Sequence, residues 1–207
     1  MSRYRGPKLR ILKRLGSLPG FGLVLNQKLV KLSSKKEGAK PKKERAKPKK
    51  ESAYTTRLKE KQKLRYHYGL TEKSLINYVR KARRKKTSKW SLSDIAPPQG
   101  HILLELLEMR LDNIIFRYGY APTLPAARQR ITHGHILLND KVINRPSYQC
   151  EVNDIINIKK PLKQKKRVWP AGSNGISPIK IQQKISREDV GLYINELLVI
   201  EYYSRSL

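Results

Sequence analysis

The sequence predicts an α+β protein in which a helical domain carries an inserted module of two helices plus a small antiparallel sheet, with an extended basic N-terminal arm. Three observations support this prediction. Several segments place apolar residues at helical spacing, and two short apolar runs flank a turn signal at Asn139-Asp140. The first 34 residues are basic and interrupted by Gly and Pro, which is typical of an arm.

Composition indicates the chemical class of the partner. The chain has 207 residues and a formal net charge of +30, so a polyanion is expected, with nucleic acid first. An acidic membrane surface ranks low, because no window approaches the roughly 18 uninterrupted apolar residues of a membrane span. The one cysteine, Cys150, excludes an intrachain disulfide framework and any zinc site built on several cysteines, and fits a reducing compartment.

The basic arm, residues 1–34, contains no acid and superficially matches an organelle transit peptide. Its glycines and prolines argue against that interpretation, because "RGPK" and "SLPGFG" interrupt any amphipathic helix of useful length. We therefore expect an extended arm that orders against a partner. Residues 35–52 follow as a lysine-rich insert with the duplication "AKPKKER", "AKPKKES", which is either a solvated flexible insertion or a contact to the RNA backbone.

A helical domain is expected over 53–106. Its first helix ends at Gly69, and a second begins at the N-cap candidate Thr71 with Glu72 in its first turn. Opposite the apolar face of this second helix, Lys73, Arg80 and Arg84 form a face that is almost purely positive. An ordinary solvated face would carry both signs, so the pattern favours contact with a polyanion.

The inserted module is expected over 107–170. Apolar spacing in "HILLELLEMRLDNIIFRYG" predicts one long helix closed by Gly119. A short second helix is predicted after the cap Thr123, with Pro125 in its first turn. "HILLN" and "KVIN" then predict a hairpin, and "DIINIKK" a further strand.

Residues 171–207 combine a Gly/Ser/Pro linker with a C-terminal tail. The linker runs from Pro170 to Pro178, and the tail has a helix-start signal at Ser186 and Glu188-Asp189 followed by an apolar run. Because this tail is the most acidic and apolar part of the chain, we expect residues 179–207 to pack on the helical domain and complete it.

Four segments, in this order, resemble the family of small-subunit ribosomal protein four. They are "MSRYRGPKLRILKRLG", "KQKLRYHYGLTEKSLINYVRKAR", "RLDNIIFRYGYAPTLPAARQRITHGHILLNDKVINRPSYQC" and "ELLVIEYYSR". The likeness covers most of the chain, except the insert and residues 161–185. The third segment alone is also similar to RNA-binding units of some pseudouridine synthases, tyrosyl-tRNA synthetases and a heat-shock protein, so the order of all four carries the resemblance.

The opening and the cysteine in "PSYQC" resemble plastid-encoded members of that family. The resemblance therefore implies a ribosome of the chloroplast stroma, with the bacterial cytoplasm as the alternative. Some bacterial members carry a four-cysteine zinc site near the N-terminus, and those cysteines are absent here, so no metal or other cofactor is implied.

The resemblance implies a structural protein that binds small-subunit ribosomal RNA at a helical junction of the five-prime domain, nucleates assembly of the body and supports translational accuracy. Expected protein neighbours are small-subunit proteins five and sixteen, with messenger RNA near the channel through which it enters. A non-ribosomal RNA chaperone or regulatory RNA-binding protein with the same module is the alternative. An enzyme is not expected, because no phosphate-binding glycine loop, metal cluster or paired carboxylates are visible.

Candidate RNA-binding residues combine cationic groups with stacking and hydrogen-bonding groups. They are Arg3, Arg5, Lys8, Arg65, Tyr66, Tyr68, Lys81, Arg83, Arg84, Arg110, Asn113, Arg117, Thr123, Arg128, Gln129, Arg130, His133 and His135.

Several of these candidates have alternatives of equal weight. Arg110 with Asp112 could be an intramolecular pair. The tyrosines could be ordinary half-buried packing, and the His pair is either structural or bonded to phosphate or a 2′-hydroxyl, since two ligands make a poor zinc site. The first turn of the helix after Thr123 is expected to bind a phosphate.

Overall fold

The computed structural model describes residue 4 and residues 6–22, 52–88, 99–159, 178–185, 187 and 189–204. The arm candidates Arg3 and Arg5, the insert up to residue 51, the Pro97-Pro98 joint and most of the 170–178 linker lie outside these described residues. The described elements, in chain order, are α1 (Lys8–Leu15), a 3-10 turn (Pro19–Phe21), α2 (Ala53–His67), α3 (Glu72–Ser88), α4 (Gln99–Glu108), α5 (Leu111–Arg117), α6 (Leu124–Thr132), β1 (Ile136–Leu138), β2 (Lys141–Val142), β3 (Ile155–Ile158), β4 (Ile179–Lys180) and α7 (Glu196–Ser204). This mixture of helices with a small antiparallel sheet confirms the α+β class.

The N-terminal arm is wrong as an extended segment over its described part. Residues Lys8–Leu15 form the amphipathic helix α1, which buries Ile11, Leu12 and Leu15. The following 3-10 turn buries Phe21. Gly16 and Pro19 do punctuate the chain, but they stand after the helix rather than within it, so eight residues suffice to place one apolar stripe in the core.

Four helices form one layer around a shared apolar core. α7 packs against α2 and α4, α4 also packs against α3, and α1 with the 3-10 turn lies on α2. Thr71 Oγ1 accepts a hydrogen bond from the Ser74 amide and so caps α3 as expected. Ser52 does the same for α2 through the Thr55 amide. The expected boundary at residue 106 falls two residues before α4 ends.

The single long helix predicted over residues 101–119 is wrong, because it breaks between Glu108 and Leu111. Arg110 takes an extended conformation (φ −78°, ψ 141°) and forms a strand bridge with Gln149. The Leu111 amide donates to the Tyr148 carbonyl at 2.9 Å, so residues from the far end of the module replace a helical partner. No Gly or Pro marks this break, which is why apolar spacing did not reveal it.

The module then follows its predicted order. Thr123 caps α6, and its Oγ1 accepts from the Ala126 amide at 3.2 Å. α6 packs against α5. β1 and β2 form an antiparallel hairpin, and Asn139 and Asp140 take positive φ values of 47° and 63° in its turn, which confirms that turn.

The sheet has the strand order β2-β1-β3-β4, and all its neighbours are antiparallel. Its inner face is apolar and buried and consists of Ile136, Leu138, Ile156, Ile158 and Ile179. β4 was not predicted, because two residues are too few to show alternation.

The helix start predicted at Ser186 and Glu188-Asp189 is wrong. The C-terminal helix α7 begins only at Glu196. Before it, Val190, Leu192 and Ile194 are buried while the residues between them are exposed. That period of two belongs to an extended segment lying on the core, and it is present in the sequence as an alternation.

Candidate nucleic-acid interface

The outer face of α3 is the most uniformly cationic surface of the described structure. Its apolar positions Leu75, Tyr78, Val79 and Ala82 are buried in the core. This leaves the opposite side of the helix exposed, with Lys73, Asn77, Arg80, Lys81, Arg84 and Lys85. The only acid of the helix, Glu72, is at its N-terminus and is bound by Lys61 at 2.9 Å. A row of cations without interspersed acids is what a phosphate backbone requires.

Two of these cations, Lys81 and Arg84, were candidates from the sequence, and both are exposed, while Arg83 is half-buried. Lys81 also lies 5.9 Å from the centroid of the Tyr78 ring. Asn77 and Lys85 were not singled out. They stand at positions i−4 and i+4 to Lys81, so helical spacing alone identifies them.

A second exposed group of candidates lies where α6 passes into β1. Gln129 and His133 are exposed, and His135 is half-buried. The rings of His133 and His135 stack at 15° with their centroids 6.1 Å apart. These three side chains offer hydrogen-bond donors and a small stacked surface, which suits RNA phosphates or 2′-hydroxyls.

The third group lies at the N-terminal element. Lys8 Nζ donates to the Phe21 carbonyl at 3.2 Å, and the Tyr66 ring packs on Phe21 with centroids 5.9 Å apart. Arg65 lies over the Tyr66 ring at 5.2 Å and 3.8 Å from a Glu72 oxygen. Lys8, Arg65 and Tyr66 therefore belong to one partly exposed aromatic and cationic cluster.

The remaining candidates turn inward, and two buried carboxylates explain why. Glu108, 3% exposed, accepts hydrogen bonds from the Tyr68 hydroxyl, from Asn113 Nδ2 and from an Arg117 nitrogen at 2.7 Å. Arg117 also donates to the Asp189 carbonyl at 2.8 Å. Burial, followed by the charge of Glu108, raises the pKa of Tyr68.

Asp112, 1% exposed, holds two arginines at once. Arg110 donates to both of its oxygens, at 3.0 and 2.7 Å, and to the Tyr78 hydroxyl at 2.7 Å. Arg128 Nε donates to Asp112 at 2.7 Å. Burial opposes the charge on Arg110, but the bonds and charge of Asp112 outweigh it, so the pKa of Arg110 is raised. The alternative of an intramolecular pair is the correct one for Arg110.

The first turn of α6 is not built as an anion site. Thr123 Oγ1 already accepts from the Ala126 amide, and Pro125 has no N–H to offer. The 3-10 turn packs on this end of the helix, with Gly22 directly against the Thr123 side chain. Arg130 likewise donates inward, to the Tyr120 carbonyl at 2.6 Å, and burial lowers its pKa.

The structure thus separates the candidates into two sets. Those that reach the surface in whole or in part are Lys8, Arg65, Tyr66, Lys81, Arg83, Arg84, Gln129, His133 and His135. Those engaged inside the protein are Tyr68, Arg110, Asn113, Arg117, Thr123, Arg128 and Arg130. We do not retain the second set as RNA contacts, because their polar atoms already have partners within the protein.

Within the described residues, no group of three or more His, Cys, Asp and Glu side chains is arranged to hold a metal ion. None of the helices the structure describes is both long and apolar enough to cross a bilayer. Cys150 is buried, and burial followed by the charges of Asp154 and Asp112 raises the pKa of its thiol to about 12.

Two family models match successive parts of the chain. The model described as ribosomal protein S4/S9 N-terminal domain matches residues 3–97. The model described as S4 domain matches residues 109–156, which include α5, α6 and the strands β1 to β3. The cationic face of α3 thus belongs to the first match and the histidine pair to the second.

The chain is also similar over its full length to curated proteins. It is 50% identical to the small ribosomal subunit protein uS4c of Prototheca wickerhamii, with 100% of both chains covered. It is 48% identical to uS4c of Cyanophora paradoxa, over 99% of this chain and 100% of the relative. It is 46% identical to uS4 of Nostoc punctiforme, over 99% of each.

Proposed function

The chain belongs to the ribosomal protein S4 family, and from this membership we propose that it binds small-subunit ribosomal RNA at a helical junction of the five-prime domain, nucleates assembly of the body and supports translational accuracy. It is a structural constituent of the small ribosomal subunit, of the plastid type, and is not an enzyme. Full-length similarity to ribosomal proteins disfavours the alternative of a free RNA chaperone, which would need little beyond the module.

The observation that carries the RNA-binding proposal is the outer face of α3. Its exposed cations repeat along about four turns of helix, so they can follow consecutive phosphates of one RNA strand. Neutralising those phosphates releases counterions, which supplies affinity that does not depend on sequence. The His133 and His135 pair and the Lys8, Arg65 and Tyr66 cluster would then add contacts that depend on the shape of the junction.

Protein neighbours are proposed on a different surface. The C-terminal tail exposes Tyr193 fully, at 97%, and Leu197 at 62%, in an otherwise charged protein. Exposed apolar side chains in a small group favour contact with protein rather than with RNA. We propose that this tail faces another small-subunit protein, with protein five and protein sixteen as the expected neighbours, and that messenger RNA passes near the chain where it enters the ribosome.

The organisation into domains remains a proposal with five parts. They are the N-terminal arm (1–34), the insert (35–52), the helical domain (53–106, completed by 179–207), the RNA-binding module (107–170) and the linker with the tail (171–207). The packing of α7 on α2 and α4 supports the proposal that the tail completes the helical domain.

Direct binding tests the proposal. The purified protein is titrated with the five-prime domain of its own small-subunit ribosomal RNA and with an unrelated structured RNA of equal length, over a series of salt concentrations. We expect binding to the five-prime domain to persist at salt where the unrelated RNA has dissociated. Equal affinities and equal salt slopes for the two RNAs would identify a general polyanion binder and contradict the proposal.

A triple variant tests which surface carries the charge contacts. Lys73→Gln, Arg80→Gln and Lys81→Gln together should reduce the salt slope of binding by about two to three and the affinity at least about ten-fold, because each lost phosphate contact removes roughly 0.7 to 0.9 from the slope. The matched control, Lys141→Gln, Arg145→Gln and Lys180→Gln, removes the same charge from exposed positions elsewhere. An equal loss in both variants would mean that net charge, not the α3 face, decides binding.

A further inference from the structure

We infer that Arg128 is a positioning residue that determines specificity for an RNA junction, because it fixes the module against the helical domain. The inference rests on the proposed function, since it concerns how the α3 face and the α6 surface meet one RNA together. Arg128 belongs to the module, on α6, and its side chain reaches the loop between α2 and α3 in the helical domain.

The contacts of Arg128 show a clamp rather than a free cation. One terminal nitrogen donates to the Gly69 carbonyl at 2.7 Å, and the other donates to the Tyr68 carbonyl. Nε donates to Asp112 at 2.7 Å. Each of the three guanidinium nitrogens therefore has an acceptor inside the protein, and only 28% of the side chain is exposed.

The position of the acceptors explains why an arginine is needed. Tyr68 and Gly69 follow the last turn of α2, where helix carbonyls lack partners and carry partial negative charge. Gly69 has a φ of +57°, and a Cβ there would lie 3.0 Å from the guanidinium. A planar group with donors in a fork can bond both carbonyls and the carboxylate at once, which a lysine cannot.

Asp112 extends the clamp to a third element of the helical domain. The same carboxylate binds Arg110, and Arg110 donates to the Tyr78 hydroxyl on α3. α3 is therefore connected to α6 through a buried chain of Tyr78, Arg110, Asp112 and Arg128. Because buried charge pairs tolerate little displacement, this chain favours one orientation of the module relative to α3.

A small change in that orientation would matter for RNA. A helix of 17 residues such as α3 is about 25 Å long, so a rotation of about 10° at the clamp moves its far end by about 4 Å. An ion pair needs its charges within about 4 Å, so such a shift removes phosphate contacts at one surface while the other remains bound. Two surfaces held in the correct geometry bind as one multivalent unit, and this gain disappears when both cannot engage.

The experiment compares two RNAs and two variants. Arg128→Gln removes the clamp, and Arg145→Gln is the matched control, which removes the same charge from an exposed position of the module. Each protein is titrated with the five-prime domain RNA and with a plain RNA duplex of equal length. For the junction RNA we expect Arg128→Gln to lose at least about ten-fold in affinity relative to Arg145→Gln. For the duplex we expect the two variants to agree within about two-fold, because only net charge matters there.

A second measurement reports the orientation itself. Spin labels attached at Lys85→Cys and Thr132→Cys, both exposed, give the distance between α3 and α6 by double electron–electron resonance. Cys150 stays unlabelled because its buried thiol has a pKa of about 12. We expect one narrow distance distribution in the parent protein and a broader one with Arg128→Gln.

The outcomes separate the clamp from the proposed function. If the parent protein does not prefer the junction RNA, the proposed function fails whatever the variants do. If it does prefer that RNA, but Arg128→Gln keeps the preference and the narrow distribution, the clamp inference is overturned. Should Arg128→Gln fail to fold, Arg128→Lys, which keeps the charge but cannot bond all three acceptors, makes the same comparison.

Discussion

At the scale of single residues, two buried carboxylates decide the role of most conserved-looking arginines in the module sequence. Glu108 and Asp112 together bind Arg110, Arg117 and Arg128 within 3.0 Å. A buried carboxylate is costly unless it is paired and fully hydrogen-bonded, and these two are. The cations nearest to them are consequently committed to the fold.

Asp112→Asn tests this commitment. The variant keeps the shape of the side chain but leaves Arg110 and Arg128 without a counter-charge, so we expect the free energy of unfolding to fall by about 3 to 5 kcal/mol in urea denaturation. Asp140→Asn, at an exposed turn position, is the control and should change it by less than about 0.5 kcal/mol. Equal small losses in both variants would mean that the buried pair contributes little.

His67 predicts a pH dependence of stability. It is buried, its Nδ1 accepts from the Gly20 amide at 3.4 Å, and burial lowers the pKa of His67 to about 4. Between about pH 6.5 and 4 the unfolded chain takes up a proton that the folded chain refuses, so stability should fall with pH by up to about 3 kcal/mol. Stability from this residue is fully present above pH 6.5.

The measurement for His67 is urea denaturation at several pH values. His67→Asn can keep an acceptor for Gly20 but cannot titrate, so its stability should depend less steeply on pH in that window. Carboxylates that titrate in the same range affect both proteins equally, so the difference between the slopes belongs to His67. Parallel slopes would show that His67 protonates freely in the folded state.

At the scale of elements, the helices that the sequence predicts best are those whose partners are local. The start of α3 at Thr71 and Glu72 follows from a cap and an apolar stripe a few residues long, and the structure confirms it. The break between α4 and α5 depends instead on Tyr148 and Gln149, about 40 residues away. A pattern read over one helix cannot contain that information.

The packing of the 3-10 turn gives a prediction for Gly20. A Cβ at this position would lie 2.6 Å from Leu124 Cδ1 and 2.7 Å from the His67 carbonyl, so the turn must move away from α2 and α6. We expect Gly20→Ala to lower the free energy of unfolding by about 1 to 3 kcal/mol and to raise the pKa of His67 towards its ordinary value as water enters. Thermal denaturation and an NMR titration of the imidazole measure the two effects.

Gly16→Ala is the matched control for Gly20→Ala. Gly16 has a φ of +89°, but a Cβ there meets nothing within 4 Å. Its substitution should cost about 1 kcal/mol from backbone conformation alone and leave the pKa of His67 unchanged. A shift of that pKa in both variants would contradict a local steric effect at Gly20.

At the scale of the whole molecule, the net charge of +30 is divided between two uses. Part of it neutralises buried and half-buried acids such as Glu60, Glu108 and Asp112. The remainder lies on exposed faces, above all the outer face of α3. A polyanion partner follows from the total, whereas the location of the contact follows only from the exposed share.

Cys150 reports on the integrity of the whole fold. The thiol is 4% exposed with a pKa of about 12, and the Cys150 amide donates to the Met109 carbonyl, so the residue ties the end of the module to α4. At pH 8 we expect a disulfide reagent to react about a thousand-fold more slowly with the native protein than with the guanidinium-unfolded chain, because thiolate is scarce and the site is closed. Fast modification without loss of helical signal would instead reveal local opening at this joint.

Sequence alone determined the α+β class, the hairpin turn at Asn139-Asp140, the cap at Thr123, the family and the polyanionic nature of the partner. Each depends on local spacing, on total composition or on four ordered segments. Only the tertiary structure decided that Arg128 faces Gly69 and Asp112 while Lys81 faces solvent. The physical reason is that an arginine bonds whichever acceptor the fold brings near, and these acceptors lie 59 and 16 residues away along the chain.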